Sequence, residues 1–336
     1  MSKKIKISLL DLAIVADNTT VTETLKQTAR LAQTCEKLGY ERFWMAEHHN
    51  MEHIASSATS VLLSYVGSKT ESIRIGSGGV MLPNHSPLVI AEQFGTLESL
   101  FPGRVDLGLG RAPGTDGETA MAIRPDFYTQ SQQFPKNVSL LQNYLSKSNS
   151  TSKVRAFPGE GLNIPIWILG SSTESAALAA AYGLPYAFAG HFAPKMMYDA
   201  FRFYTENYQP SIENPKPYTL ACVNAIAATT TQEAELLSTS MYKNFLNIIR
   251  NIRQPMQAPD SSIKSTMNEI ERFHVEQMLG GSFIGDEQKI TADLQRFIEK
   301  TKVNEIMITS QIYDFDKRLQ SIEIMKNVMQ KINNDR

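Results

Sequence analysis

Several short runs in this chain hold residues whose types and spacing could do chemistry. Glu47-His48-His49, with His53 nearby, combines a carboxylate with imidazoles. Such a set suits acid–base work, because imidazole titrates near neutral pH, or metal ligation. Metal-dependent barrel hydrolases collect ligands from several strand ends, whereas the first strand here ends in Leu9-Leu10-Asp11 with no His-x-His pair, so no metal is expected. Arg111, just past a strand, carries a planar donor fork that could hold an anion. Gly170-Ser171-Ser172-Thr173-Glu174 closes a strand and opens a helix. Ser171 and Glu174 have the spacing of a capping box. The same run also offers backbone N–H groups, hydroxyls and a positive helix end to one anion, and the residues alone leave both readings open. Gly76, Gly78 and Gly79 thin out the side chains of another strand, so that a flat ligand could approach its backbone. Gly108-x-Gly110 lacks the third glycine and following helix of a dinucleotide fingerprint. His85 and His191 fall near strand ends, where they could line a substrate pocket or be buried structural residues.

The elements that must position these residues alternate regularly. Residues 73–114 contain a strand that begins at Ile73, a helix from Leu88 to Leu100 with apolar residues on one face, a stop at Phe101-Pro102-Gly103, and a strand from Arg104 to Leu109. That is one parallel crossover unit. Strands are predicted near residues 7, 44, 75, 106, 167, 187, 222 and 307, each followed by a helical pattern. Eight strand–helix units over this length predict an α/β fold, a (β/α)8 TIM barrel with its active site at the carboxyl ends of the strands. Spacing alone also permits a doubly wound open sheet. Two stretches break the alternation and read as insertions at the same face. Thr115 to Pro135 reads as a long irregular connection, usually a functional one. Residues 251–285 have poor periodicity, two prolines and Gly280-Gly281, yet too many apolar residues for a solvated loop. The expectation there is a mobile lid whose helical stretch, Ser265 to Leu279, swings on the two glycines.

Composition narrows the class. The 336 residues are 42% hydrophobic with a net charge of −1, and no basic run exceeds Lys3-Lys4, which argues against nucleic acid or an anionic membrane as partner. No apolar stretch reaches spanning length and no cleavable leader is recognisable, so a cytoplasmic location is expected. Cys35 and Cys222 are far apart and read as buried thiols. No linker divides residues 1–336, which are read as a single domain.

The runs GSGGVMLPNHSP, AEQF and PGRVDLGLGRAPG, together with AEHHN, resemble the luciferase-like flavin monooxygenases, and the likeness extends from Ile5 to the C-terminal helix. The resemblance implies a barrel that uses reduced FMN, delivered by a separate flavin reductase, and molecular oxygen to oxidise a small organic substrate. It places the flavin phosphate at Gly170, Ser171, Ser172 and Thr173 with Arg111 reaching across, Glu174 then turning away to cap Ser171 or to meet Arg111. It sets the flavin ring against Gly78, Gly79 and Met81, where the family often has a non-prolyl cis peptide, and gives His48 the acid–base role. His85 and His191 would border the substrate. Related barrels also include deazaflavin-dependent dehydrogenases and non-catalytic flavin-binding proteins, which remain alternatives, and a homodimer is expected.

Overall fold

The computed structural model describes residues 4–336 and contains a closed parallel barrel. Its strands are β1 (Lys6–Asp11), β2 (Arg42–Met45), β3 (Arg74–Met81), β4 (Val105–Gly110), β5 (Ile166–Gly170), β6 (Tyr186–Ala189), β7 (Thr219–Ala227), a short β8 (Phe283–Gly285) and β9 (Glu305–Thr309). Each of β1 to β7 pairs in parallel with its sequence neighbour, β7 pairs with β9, and β9 pairs with β1, which closes the ring at eight strands. The open-sheet alternative is thereby excluded. The ninth strand, β8, adds to the end of β7 outside this ring, with Ala225 to Ala227 opposite Phe283 to Gly285. A three-residue strand is too short to show a period, so the sequence gives no sign of it.

The α-helices around the ring and in its connections are α1 (Val21–Lys37), α2 (Thr59–Gly67), α3 (Pro87–Leu100), the short α4 (Gly117–Ile123) and α5 (Phe127–Gln132), α6 (Phe134–Leu145), α7 (Thr173–Ala181), α8 (Met197–Asn207), α9 (Thr231–Arg250), α10 (Ile263–Thr266), α11 (Glu269–Leu279), α12 (Glu287–Thr301) and α13 (Phe315–Asn334). The connection after β4 therefore differs from the irregular loop expected of it, because Asp116 caps α4 by accepting from the Thr119 N–H. Residues 251–285 are likewise more ordered than their periodicity suggests. Asn268 and Glu271 form a reciprocal capping box at α11, and Ile263, Met267, Val275 and Leu279 pack with Met241 and Phe245 of α9 in a second apolar cluster. The apolar residues Ile270 and Phe273 of the same segment remain exposed.

The main core lies between strands and helices, while the barrel interior splits into two layers. At the amino-terminal end, buried Arg42 donates to Glu305 and Asp106, Arg74 donates to Asp106, and Ser8 and Tyr218 also reach Glu305. This network takes members from β1, β2, β3, β4 and β9. Above it, Trp44 and Trp167 meet edge to face with ring centroids 5.2 Å apart. They separate the charged layer from an apolar floor of Leu10, Ala187, Leu220, Cys222 and Met307.

Candidate active site

That floor is the base of a cleft at the carboxyl ends of the strands, enclosing about 1060 Å³ with its open mouth included. Strand alternation builds it. Trp44, Ala46 and His48 follow one another at every second residue of β2 and its exit, as do Ala187, Ala189 and His191 on β6 and its exit, and all six line the cleft. Gly78, Gly79, Met81, Arg111, Gly170, Ser171 and Ser172 line it as well. Thr173 and His85, placed beside these residues by the sequence, are not among the lining residues. Ser175, Phe188 and Phe192 line the cleft without having been singled out, and Cys222, read from the sequence only as a buried thiol, lines it too. The period-two pattern that reaches His191 also marks Leu220 and Cys222, so Cys222 had a readable signal.

One wall is bare backbone. The register of β3 on β4 shifts between Ser77 and Val80, and the Gly78–Gly79 peptide there is cis. A Cβ on Gly79 would stand 2.8 Å from the Gly108 carbonyl oxygen, and one on Gly108 would stand 2.2 Å from that of Ser77. Only glycines allow the two strands to approach so closely.

At the opposite end, Ser172 is the cap of α7, accepting from the Ser175 N–H at 3.5 Å, and the Ser171–Glu174 capping box is not formed. Ser175 Oγ turns back to donate to the Ser172 carbonyl and lies 3.0 Å from the Tyr186 hydroxyl. Glu174 instead accepts from Arg111 at 3.0 Å, one of the two positions expected for it. Their side chains are 54% and 73% exposed, so this pair contributes little and leaves the guanidinium available. Arg111, Ser171 and Ser172 line the same end of the cleft, beside the unpaired first-turn N–H groups of α7, so this end is rich in donors.

His48 is half-buried and its Nδ1 lies 3.2 Å from the Gly114 carbonyl. A carbonyl only accepts, so Nδ1 carries the proton and Nε2 is the basic nitrogen. Burial, partly opposed by the Gly114 bond, lowers the His48 pKa below its usual value and so favours the neutral ring. His191 is pushed down to about 3 by burial and, secondarily, by His48, and its Nδ1 has no partner. Its carbonyl accepts from Asn224, whose amide also donates to Ser282 at the end of residues 251–285. Burial pushes the Cys222 thiol up, so it is an apolar surface rather than a nucleophile.

Glu47 collects the neighbouring imidazoles. Both His49 Nε2 and His85 Nε2 lie 2.9 Å from its Oε1, and the Met81 N–H donates to Oε2 at 3.0 Å. Burial alone would raise this carboxyl, but the bonds from His49 and His85 hold it at about 2. The two imidazoles thus point at a carboxylate, and among the described residues no group of three or more acidic, histidine or cysteine side chains is arranged to hold a metal ion.

Comparison with known proteins bears on the family and the fold. A family model described as luciferase-like monooxygenase matches residues 6–305. A luciferase-like monooxygenase of Escherichia coli K12 is 45% identical over 98% of both chains. An N-acetyl-S-alkylcysteine monooxygenase of Bacillus subtilis is 31% identical over 97% of this chain and 98% of its own. Among solved structures, apo-MsnO8 superposes with a TM-score of 0.86 at 28% identity, covering 97% of this chain and 98% of that one. The oxygenating constituent of 3,6-diketocamphane monooxygenase with FMN and an F420-dependent secondary alcohol dehydrogenase share the fold at 14% identity, with TM-scores of 0.72 and 0.70 and 98% of this chain covered in each case; they cover 98% and 99% of their own chains. Matched by the family model over residues 6–305 and by a relative 45% identical over nearly its whole length, this chain belongs to the luciferase-like monooxygenase family.

Proposed function

We propose that this chain is a reduced-FMN-dependent monooxygenase acting on a small organic substrate with molecular oxygen, its flavin delivered by a separate reductase. The observation that carries this reading is the convergence, in one cleft, of the Gly78–Gly79 backbone wall, the apolar floor and the Arg111–Ser171–Ser172 cradle. These suit a flavin mononucleotide, whose flat ring would lie against the glycines and over the apolar floor and whose phosphate would sit at a helix N-terminus. When bound, the reduced flavin supplies the electrons and activates oxygen. The chain's own residues do the rest. Arg111 and the start of α7 hold the phosphate, and the Trp44 layer keeps water from below the ring. His48 accepts or returns a proton at Nε2, while its Nδ1–H stays on Gly114.

The apolar cleft wall and the neutral His191 ring favour a substrate whose reacting part is uncharged. The relative that oxidises an N-acetyl-S-alkylcysteine makes thioethers the first class to try. A deazaflavin cofactor would satisfy the same phosphate cradle, so the cofactor is decided by binding. Anaerobic titration with reduced FMN and with reduced F420, followed by oxygen uptake with a thioether panel, tests the proposal. FMN binding with substrate-dependent oxygen uptake is expected. Preferential F420 binding without oxygen uptake would instead make the chain a dehydrogenase.

A further inference from the structure

Glu47 does not itself line the cleft, yet four N–H groups from the loop after β2, the end of β3 and the turn that follows it end on its buried carboxylate. Oε1 accepts from His49 and His85, each at 2.9 Å, and from Asn84 at 3.1 Å, while Oε2 accepts from the Met81 backbone at 3.0 Å. The Asn84 amide also donates to the Pro113 carbonyl at 3.0 Å. The next carbonyl, that of Gly114, is the one that His48 Nδ1 and the His49 N–H both address. Gly114 has φ +69°, and a Cβ there would stand 2.5 Å from the Glu47 carbonyl oxygen, so the two loops are in direct contact.

We infer that Glu47 is the positioning residue for His48, acting through Asn84 and the Pro113-Gly114 carbonyls to fix which ring nitrogen carries the proton. The inference rests on the assignment of His48 to proton transfer for its consequence in turnover, but not for its geometry. A carboxylate suits this hub because it only accepts, and all four partners donate. An amide cannot replace it. With its NH2 on the Oε1 side a glutamine would face the Asn84 NH2, and with its NH2 on the Oε2 side it would face the Met81 N–H. Neither partner can accept there without giving up its own bond, so one buried donor is left unmatched in either orientation. The strain falls on the loop that presents the Gly114 carbonyl, and His48 then loses the acceptor that holds its Nδ1–H.

The test is the tautomer of His48, read by nitrogen-15 NMR of the ring in the full-length protein without flavin, in wild type, Glu47→Gln and Asn84→Ala. Wild type should show a Nδ1-protonated ring. Glu47→Gln, checked for native circular dichroism, should show a mixture of tautomers or mainly the Nε2-protonated form, and kcat should fall by about 10- to 100-fold with KM for reduced FMN little changed. If Glu47→Gln does not fold, Asn84→Ala decides, since it removes the amide that joins Glu47 to the Pro113 carbonyl and should shift the same tautomer. A folded Glu47→Gln, or an Asn84→Ala where that variant must stand in, whose His48 ring keeps the wild-type tautomer would overturn the proposal. A shifted tautomer with unaltered turnover would support the positioning and count instead against the catalytic role of His48.

Discussion

Arg111 is held by one exposed carboxylate, and that weak hold is what an anion site requires before its ligand arrives. Arg111→Ala should therefore cost little stability but weaken FMN binding by roughly 1.5–3 kcal/mol, the size of a charge-assisted hydrogen bond. Riboflavin, without the phosphate, should bind equally to wild type and variant. Fluorescence titration of both flavins checks this, and equal losses for the two would remove Arg111 from the phosphate. His48→Ala should leave FMN affinity nearly intact while slowing turnover by about 10²–10⁴-fold. Because burial depresses the His48 pKa, its neutral form persists below the ordinary histidine value. Activity that needs a neutral base should thus be retained as pH falls through 6.5 and be lost only at lower pH, as a kcat–pH profile would show. These residues were legible to different degrees. His48 and Arg111 sit where a strand ends, which spacing reveals. The sharing of Glu47 by His49 and His85 depends on the turn after β3 folding back, and no local pattern in the sequence encodes that contact.

Among the elements, the eight barrel strands were readable because each is a short apolar run between turn signals, and the long helices α1, α9 and α13 because their apolar stripes recur over many turns. The cap of α7 moved from Ser171 to Ser172 because two adjacent serines offer the same chemistry and only backbone geometry chooses between them. Residues 251–285 resisted reading since their apolar residues serve two surfaces. Ile263, Met267, Val275 and Leu279 pack on α9, while Ile270 and Phe273 face outward. Their entry is tied by the Met256 N–H to the Val15 carbonyl at 2.8 Å and by Arg253 to Asp116 at 3.3 Å. The exposed Arg253–Asp116 pair is a weak tie, whereas Val275 and Leu279 of α11 are packed on α9. Limited proteolysis should then cut residues 257–262 in the free protein, with protection by FMN plus a substrate analogue. Equal cleavage with and without ligand would leave the segment a fixed buttress on α9.

At the scale of the whole molecule, the two ends of the barrel divide the work. The carboxyl ends hold the cleft, and the amino ends hold the Arg42–Glu305–Asp106–Arg74 network beneath the tryptophan layer. Arg42→Ala would leave two buried carboxylates short of a partner and should destabilise the protein by about 3–5 kcal/mol. Flavin affinity per folded molecule should be unchanged, as denaturant unfolding and titration of the same sample would show. The membership of this network has a consequence for how the protein is made. Arg42 and Asp106 leave the ribosome roughly two hundred to two hundred and sixty residues ahead of Glu305, and the ring itself closes only when β9 has slotted between β1 and β7. A growing chain therefore cannot settle its early strands one by one. Arg42 can meet Asp106 early, but its second carboxylate arrives only with the last strand, and any product that stops short of Glu305 is left open along two strand edges for the cell's proteases to find.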